Sequence, residues 1–453
     1  MTTDDWYIER LSLTNFRNLE STEIDLDRRL TLLVGRNGSG KTAVLDALAI
    51  MLRIPLGVLT GRASDLGSGD SPLHVAHTDA TAVARSLDSR DAVGTVERKY
   101  PVRIAATGIL DGARVEWDRA LATPDNNSTY APGRVREPME DLQERAIGVP
   151  GGSGDTGFQA VLPVVAMYGV ERLVRSRRGQ GTIDASRLDA YSDALSHGSD
   201  LKRISEYVSR LDKEILRAQA FGDVEPRAVK RQFEAIDAAC SSILEPVGWS
   251  SLRWNDTVGG LTLRDRDGLR LPLSSLASGA RIAAGLAIDL ASRMARANPH
   301  LGSSGLLEST PGIVLVDEID LHLHPVWQQQ IVPQLLRTFP RVQFVLTTHS
   351  PQVIGTVDPE RIRILDGARV RVPDYSKGLR SDVVLHEVQG VDPDPDIDGI
   401  RRKKDRYLEL VFDGDGHGDE AVQLRAELDE LGGTERIEEL QQADVHMAFE
   451  ELD

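Results

Sequence analysis

The chain has 453 residues, of which 40% are hydrophobic, 27% are charged and 5% are aromatic. This length allows about three domains, or one large domain with insertions, and a substantial core. The one cysteine, Cys240, excludes a disulfide framework and a zinc site built on several thiolates. No run of 18 apolar residues occurs, and residues 1–9 lack the basic and apolar regions of a secretory signal. We therefore expect a cytoplasmic protein without a membrane span.

The net charge of −17 is concentrated at one end of the sequence. Residues 391–453 hold 20 acidic and 7 basic residues, which accounts for −13 of the total. The rest of the chain is nearly neutral, so a nucleic-acid groove elsewhere is not excluded.

The first part of the chain favours strands and one glycine-bounded helix. Short apolar runs between turn signals predict buried strands, and a two-residue Asp-Gly turn predicts a hairpin. The predicted elements are a strand at Tyr7–Leu13, a turn at Asn15–Asn18, a strand at Arg29–Val34, a helix at Thr42–Leu52, a hairpin around Asp111-Gly112 and a strand at Leu162–Tyr168. Residues 122–157 look like loop because they contain several Pro and Gly.

Residues 171–245 change character, with few strand formers and apolar residues at helical spacing. We interpret them as a helical insertion. The predicted elements that follow are short strands around Gly259-Gly260, strands at Ile313–Val316 and Val342–Thr347, a helix at Val326–Thr338, and two charged helices at 400–431 and 434–452. Within this charged region, Leu408, Leu424, Leu428 and Leu431 form an apolar stripe that suits docking to a partner or to the ATPase core. The alternative is that the region only solubilises the protein.

The most specific motif is an octapeptide between a predicted strand and a predicted helix. It reads Gly35, Arg36, Asn37, Gly38, Ser39, Gly40, Lys41, Thr42 and fits G-x-x-x-x-G-K-[ST]. Glycines let the backbone wrap phosphate oxygens, and the amides at a helix start bind anions. Lys41 would reach the β- and γ-phosphates of ATP, and Thr42 would ligate Mg²⁺.

A second motif is the apolar strand that ends in Asp317 and Glu318, as in a Walker B element. Asp317 would support Mg²⁺, and Glu318 could act as the general base on the attacking water. Asp317 follows Lys41 by 276 residues, so a large segment is inserted between the two motifs. His349 ends the next strand, 31 residues past Glu318, and can face a γ-phosphate there.

Ser278 and Gly279 open a helix about 40 residues before Asp317. Alone they are a weak signal, because a Ser at a helix start is commonly an N-cap. Their position between the two phosphate motifs gives them meaning as a further anion site.

These motifs, in this order, resemble an α/β ABC-type ATPase of the SMC, Rad50 and RecF class. The resemblance implies a degenerate signature motif at Leu276–Arg281, an Arg17 near the phosphates, and ATP bound between two copies so that each signature completes the other's site. Leu321–Pro325 then resembles the D-loop that crosses this interface. A metal site at His322 and His324 is the alternative, without thiolates or further carboxylates in its support.

The resemblance implies four regions. They are an ATPase lobe at 1–170, a helical insertion at 171–247, an ATPase part with signature, Walker B and His switch at 248–375, and an acidic helical region at 376–453.

A narrower resemblance is to bacterial single-chain ATPases that include the ATPase subunit of the Septu anti-phage system and its retron-associated relatives. It depends on Leu162–Gly169 followed by Arg172, Ser186–Tyr191, Asp317–Pro325 with Trp327, and loosely on 401–433. The sequence departs from that pattern at Ala277, Ala280 and Met167, and no Gln ends the Leu162–Tyr168 strand, so the Q-loop role stays unassigned.

The resemblance implies an ATP- and Mg²⁺-dependent ATPase that forms a homodimer, or a higher oligomer, and regulates an HNH-type nuclease partner in anti-phage defence. One alternative is a RecF-like DNA-repair ATPase that clamps DNA. A less favoured alternative is the nucleotide-binding subunit of a transporter, since a clean LSGGQ is missing and residues 171–245 are inserted.

Overall fold

The computed structural model describes residues 5–61, 75–84, 96–125, 129–131, 133–147, 160–170, 186–198, 201–221, 226–390, 399–430, 432 and 437–450. Contacts divide the chain into two compact units, Met1–Val384 and Leu385–Asp453. We call them the N-terminal unit and the C-terminal unit. The N-terminal unit includes the segment from Ser376 to Val384, both ends of which are buried.

The described strands, in chain order, are β1 (Tyr7–Phe16), β2 (Leu19–Asp25), β3 (Leu30–Val34), β4 (Ala82–Ala84), β5 (Val96–Arg98), β6 (Val102–Leu110), β7 (Ala113–Leu121), β8 (Thr129–Ala131), β9 (Val164–Tyr168), β10 (Ser250–Asn255), β11 (Gly260–Arg264), β12 (Arg270–Pro272), β13 (Gly312–Val316), β14 (Val342–Thr347), β15 (Ile362–Asp366) and β16 (Arg369–Arg371). All of them belong to the N-terminal unit.

The described α-helices are α1 (Lys41–Thr60), α2 (Arg136–Ile147), α3 (Leu201–Phe221), α4 (Arg227–Leu244), α5 (Ser278–Ala297), α6 (Ser303–Ser309), α7 (Pro325–Thr338), α8 (Pro351–Ile354), α9 (Ser381–Glu387), α10 (Ile400–Phe412), α11 (Asp419–Glu430) and α12 (Glu438–Glu450). Two of the sequence-based predictions are wrong here. Helix α2 lies where loop was expected, and the C-terminal unit has three described helices instead of two.

The centre of the N-terminal unit is a six-stranded sheet in the order β16-β15-β3-β14-β13-β9. Its strands are parallel except for the β15–β16 pair. Every residue of β3, β9, β13 and β14 is buried, which explains their predominantly apolar sequences. Together with the glycine loop between β3 and α1, this sheet confirms the predicted α/β fold.

The register of the sheet brings the predicted phosphate motifs to one edge. Leu33 pairs with Thr347, and Val316 pairs with both Leu346 and Tyr168. The carboxyl ends of β3, β14, β13 and β9 therefore lie side by side. Ligands of open parallel sheets bind at this edge.

A second sheet, in the order β2-β1-β6-β7-β8, is antiparallel. The predicted hairpin is confirmed, with Asp111 and Gly112 at φ 52° and 74° between β6 and β7. Gln343, a buried amide in β14, joins the two sheets: its Nε2 donates to Ile8 O at 2.8 Å, and its Oε1 accepts from Ile8 N at the same distance. This pairing accounts for a polar residue within an otherwise apolar strand.

Helix α1 follows the glycine loop and is the most apolar helix in the described part of the chain. By length and composition it could cross a membrane, and it is the one described helix of which this is true. Within the protein, 78% of its apolar window is buried. Its apolarity is explained by its place in the core, between the two sheets and α2.

Helices α3 and α4 pack on each other, on α5 and on the three-stranded sheet β10-β11-β12. The hydrophobic side of α3 includes Tyr207, Val208 and Leu211, which are buried as their helical spacing predicts. A basic cluster in the sequence, Arg172, Arg175, Arg177 and Arg178, lies outside the described residues.

The C-terminal unit has a small core of its own. It consists of Tyr407, Leu410, Val411, Ala421, Leu428, Leu440 and Ala443. Leu408 and Leu424 pack against this core, and Leu431 lies outside the described residues. The expectation of a stripe open to a partner is thus wrong for Leu428, which is fully buried.

Ion pairs connect the three helices of the C-terminal unit. Arg406 on α10 pairs with Glu420 on α11, and Arg425 on α11 pairs with Asp444 on α12. Lys404 on α10 pairs with Glu439 on α12, so each of the three helices is paired with both of the others. The excess of acidic residues remains on the surface of this unit, because these exposed pairs use only part of them.

Candidate functional site

The loop at residues 35–42, which we call the P-loop, is shaped by its glycines. Gly38 and Gly40 have φ values of 79° and 102°, which favour glycine. A Cβ on Gly35 would lie 2.5 Å from Leu365 O, so a side chain there would collide with the end of β15. The backbone can therefore turn tightly between β3 and α1 and point its amides inward.

Lys41 is buried and bent back over the P-loop. Its Nζ donates to Gly35 O at 2.8 Å and to Arg36 O at 3.1 Å. Burial lowers the pKa of Lys41 from its ordinary value, while the carboxylates of Asp317 and Glu318 act in the opposite direction. The ammonium thus lies near both acidic groups of the Walker B element, in a position to exchange loop carbonyls for phosphate oxygens.

Three oxygen-bearing side chains meet where β13 and β14 end. Thr42 Oγ1 lies 3.0 Å from Asp317 Oδ2, and Thr347 Oγ1 donates to Asp317 Oδ1 at 2.5 Å. Asp317 is buried. The structure thus brings together the two residues predicted to support Mg²⁺ and adds Thr347, which the sequence analysis did not single out.

Glu318 has an unusual backbone conformation, with φ at 47°. For a residue other than glycine such a conformation costs about 1–3 kcal/mol and persists where surrounding contacts enforce it. Here the Glu318 amide donates to Thr347 Oγ1 at 2.7 Å. The backbone that carries this half-buried residue is thereby held by the neighbouring strand as well as by its own.

His349 follows β14 and is half-buried. Burial and the neighbouring Lys41 ammonium lower its pKa, whereas the carboxylates of the Walker B segment raise it. The next residue, Ser350, caps α8 and donates to Gln328 Oε1 at 2.7 Å. These contacts fix the loop that carries His349, and the lowered pKa leaves the imidazole neutral near pH 7.

The turn after β1 lies against the P-loop. Asn18 Nδ2 donates to Gly38 O at 2.6 Å, a contact that sequence reasoning missed. Arg17 pairs with Asp46 on α1 at 2.6 Å and with Asp79 at 2.9 Å. The predicted phosphate-binding arginine is therefore beside the loop and held by two carboxylates.

Ser278 and Gly279 are the predicted site residues that lie apart from this cluster. Ser278 is exposed at the start of α5, and a Cβ on Gly279 would lie 2.5 Å from His322 O. In the described part of the chain, no hydrogen bond joins either residue to Lys41 or Thr42. Within one copy, the signature segment contacts the loop after the Walker B strand.

The alternative metal site at His322 and His324 finds no support. The described residues contain no group of three or more His, Cys, Asp or Glu side chains that could hold a metal ion. His324 instead caps α7, where its Nδ1 accepts a hydrogen bond from Val326 N at 3.4 Å. Its position in the sequence is thus explained by the helix that it begins.

The residues of the P-loop fit a nucleotide with Mg²⁺. Ser39 Oγ is buried and has no hydrogen-bond partner among the described residues, which suits a polar ligand in the loop. Thr42 and Asp317 offer the hard oxygen donors that Mg²⁺ prefers, and Mg²⁺ in such sites takes its remaining ligands from phosphates and water. Thr42 and Asp317 would therefore be enough protein ligands for a Mg²⁺ ion bound together with a nucleotide.

The end of β9 carries no glutamine, and its last residue, Tyr168, has another role. Tyr168 OH donates to Asp289 Oδ2 at 2.9 Å, and Arg293 Nε lies 3.1 Å from the same oxygen. All three side chains are buried. This network attaches the sheet edge to α5, the helix that Ser278 begins.

Comparison with known proteins gives a match to a family model over residues 30–355, described as "AAA domain, putative AbiEii toxin, Type IV TA system". The "Retron Ec83 probable ATPase" of Escherichia coli is 26% identical over 486 residues, covering 93% of this chain and 83% of the relative. A "Septu protein PtuA" of Bacillus thuringiensis is 44% identical over 90 residues, covering 18% of this chain and 23% of the relative.

A "DNA replication and repair protein RecF" of Geobacter metallireducens is 31% identical over 159 residues, covering 34% of this chain and 40% of the relative.

Proposed function

Because this chain belongs to the AAA-domain family whose model matches residues 30–355, we propose that two copies of it hydrolyse ATP with Mg²⁺ in shared sites and so control a partner nuclease. The chain is an ABC-type ATPase related to the retron and Septu proteins. The proposal depends above all on the cluster of Thr42, Asp317 and Thr347 beside the buried Lys41. The direct test is ATP turnover by the purified chain and its variants.

The proposed roles follow from the contacts of each side chain. Lys41 binds the β- and γ-phosphates, and Thr42 with Asp317 holds Mg²⁺, which supplies positive charge that stabilises the transferring phosphoryl group. Glu318 accepts a proton from the attacking water. His349, neutral beside Lys41, donates or accepts a hydrogen bond at the γ-phosphate side without adding charge.

The shared site is supported by where Ser278 lies. It is exposed at the start of α5, and its N-terminal amides and those of Gly279 are an anion site without a partner in the same copy's cluster. A two-fold arrangement would place the same surface of each copy opposite the other copy's P-loop. We propose that Ser278 and Gly279 contact the γ-phosphate held by the other copy.

Replacing Ser278 with arginine is expected to leave ATP binding at the P-loop intact and to stop turnover, because the long charged side chain blocks closure against the second copy. Lys41→Ala should stop turnover from the other side of the interface. In an equal mixture, about half of the dimers contain one copy of each variant. Each mixed dimer has one site with both substitutions and one site with neither. If the two sites act independently, the mixture should therefore recover about a quarter of wild-type turnover. Steady-state ATP hydrolysis of each variant and of the mixture is the measurement.

Ser274→Arg is the matched control, since Ser274 is also exposed and lies four residues earlier. It should retain turnover. A mixture that stays inactive although mixed dimers are demonstrated by mass spectrometry would contradict the shared site.

The names of the relatives support a role in defence. A retron ATPase aligns with 93% of this chain, and a Septu protein aligns with a shorter part. We propose that the chain is the ATPase of such a defence complex and that its partner is an HNH-type nuclease. The proposal predicts that an HNH-type nuclease is encoded beside the gene. The test is co-expression of the two proteins followed by phage challenge: protection that needs both proteins and an intact Lys41 supports the proposal.

Removing the C-terminal unit is expected to leave ATP binding unchanged and to abolish co-purification of the nuclease. The cut belongs after Gly390, because Val384 is buried in the N-terminal unit and Gln352 bonds Ser381 at 3.3 Å. The C-terminal unit offers an acidic surface with three exposed apolar side chains, Phe412, Val422 and Val445. Such a surface suits a basic protein partner and repels DNA.

A single substitution sharpens this test. Phe412→Glu should weaken recovery of the nuclease, whereas Val258→Glu, an exposed apolar position in the N-terminal unit, should not. Equal recovery with the truncated and the full chain would remove the docking role.

A RecF-like function is the second candidate, and the RecF match is the observation that favours it. It predicts ATP-dependent binding of double-stranded DNA by the chain alone. DNA binding without a nuclease requirement would favour this candidate over the defence complex.

A further inference from the structure

Three side chains in contact, those of His197, Asp46 and Arg17, connect the end of β9 to the turn beside the P-loop. His197 Nε2 lies 3.3 Å from Asp46 Oδ1, and Arg17 Nη1 lies 2.6 Å from Asp46 Oδ2. Only 8% of the Asp46 side chain is exposed, so both of its oxygens are engaged inside the protein. Asp46 follows Thr42 by four residues and thus lies one turn along on the same face of α1.

His197 is held against the sheet edge by its own backbone. Gly169 N donates to His197 O at 2.7 Å, and Met167 N donates to Ala194 O at 2.8 Å. A Cβ on Gly169 would lie 2.7 Å from both Cβ and Nδ1 of His197, so only glycine leaves room for the imidazole. The imidazole therefore packs at the carboxyl end of β9, the edge at which the P-loop and the Walker B acids lie.

At the other end of this series, Arg17 bonds two carboxylates through two of its three side-chain nitrogens. Its Nη1 contacts Asp46, and its Nε donates to Asp79 Oδ1 at 2.9 Å. Within the described residues, Nη2 has no hydrogen-bond partner. The adjacent Asn18 contacts the Gly38 carbonyl, so Arg17 belongs to the turn that lies against the P-loop.

The electrostatics are those of a coupled chain of charges. The hydrogen bond to Asp46 raises the pKa of His197 above its usual value, against the effect of burial. Burial acts to raise the pKa of Asp46, but its bonds to His197 and Arg17 outweigh burial and lower it. Each member thus favours the charged form of the next.

We propose that His197 is a positioning residue of the ATPase site, which holds Asp46 and, through Asp46, the Arg17 guanidinium in place to bind a phosphate oxygen. This inference deepens the proposed function and rests on it, because it assumes ATP in the P-loop. His197 does not touch the nucleotide in this role. Its effect is on affinity, since a preoriented arginine binds ground state and transition state alike.

The experiment compares full-length variants by steady-state ATP hydrolysis and by titration with a fluorescent ATP analogue. His197→Ala should raise the KM for ATP about tenfold and change kcat by less than about twofold, as expected for loss of uniform binding. His197→Gln, which keeps an N–H donor towards Asp46, should restore most of the affinity. His300→Ala is the matched control, a half-buried histidine elsewhere in the same unit, and should bind ATP as the wild type does.

A double-mutant cycle decides whether His197 acts through Arg17. If it does, the variant with His197→Ala and Arg17→Ala together should bind ATP no more weakly than Arg17→Ala alone. Additive losses would overturn the proposal, as would a His197→Gln protein as defective as His197→Ala. An unchanged KM in His197→Ala, with Lys41→Ala unable to bind ATP, would overturn this inference alone. Unchanged binding in both would overturn the proposed function as well.

Discussion

Glu318→Gln is expected to reduce ATP turnover by about 10²- to 10⁴-fold, the contribution usual for a general base. Glutamine keeps the size and the backbone contact to Thr347, so the left-handed conformation at this position should survive. Its amide cannot accept a proton from water. ATP should therefore stay bound, and the two-copy complex should accumulate.

The measurement is the rate of ATP hydrolysis under single-turnover conditions. ATP affinity and oligomer size are measured in parallel. Glu360→Gln, a glutamate in an exposed turn before β15, is the control and should leave turnover unchanged. If Glu318→Gln hydrolyses ATP at the wild-type rate, Glu318 is not the general base. The candidates are then the other carboxylates near Lys41, of which Asp320 is one.

Lys41→Ala is expected to weaken ATP binding by about 100-fold or more, because two charged hydrogen bonds to phosphate contribute about 1.5–3 kcal/mol each. The substitution also removes the bonds from Lys41 to the Gly35 and Arg36 carbonyls. The measurement is ATP affinity with Mg²⁺ by calorimetry. Lys213 on α3, which pairs with the exposed Asp256, supplies the control Lys213→Ala.

Thermal unfolding separates a binding defect from a folding defect in Lys41→Ala. The ammonium is buried, and burial lowers its pKa, so its removal should not destabilise the free protein strongly. Affinity equal to wild type would contradict the assignment of the P-loop as the phosphate site.

The parallel core sheet and the order of the phosphate motifs were predictable from local sequence. Apolar runs such as Ile313–Val316 predict buried strands directly, and the P-loop octapeptide fixes what lies between β3 and α1. The sheet order then brings Asp317 beside Thr42, although 275 positions separate them. The spacing between Lys41 and Asp317 in the sequence indicated that a large segment is inserted between them, but not how that segment folds.

What the sequence did not reveal depends on tertiary contacts. Thr347 is one of two consecutive threonines, and only the register with β13 shows which of them reaches Asp317. Asp46 and His197 are distant in sequence and carry no motif. Helix α2 was missed because its sequence is polar and contains Pro138, so that only Met139, Leu142 and Ala146 reveal its buried face.

The close fit of Gly279 against the His322 carbonyl has a consequence for communication between sites. No side chain separates the two backbones, so the start of α5 and the loop after Glu318 are in direct backbone contact. In the proposed two-copy arrangement, the first of these touches the neighbour's nucleotide and the second adjoins the copy's own. In that arrangement, we expect nucleotide binding by one copy to change nucleotide binding by the other.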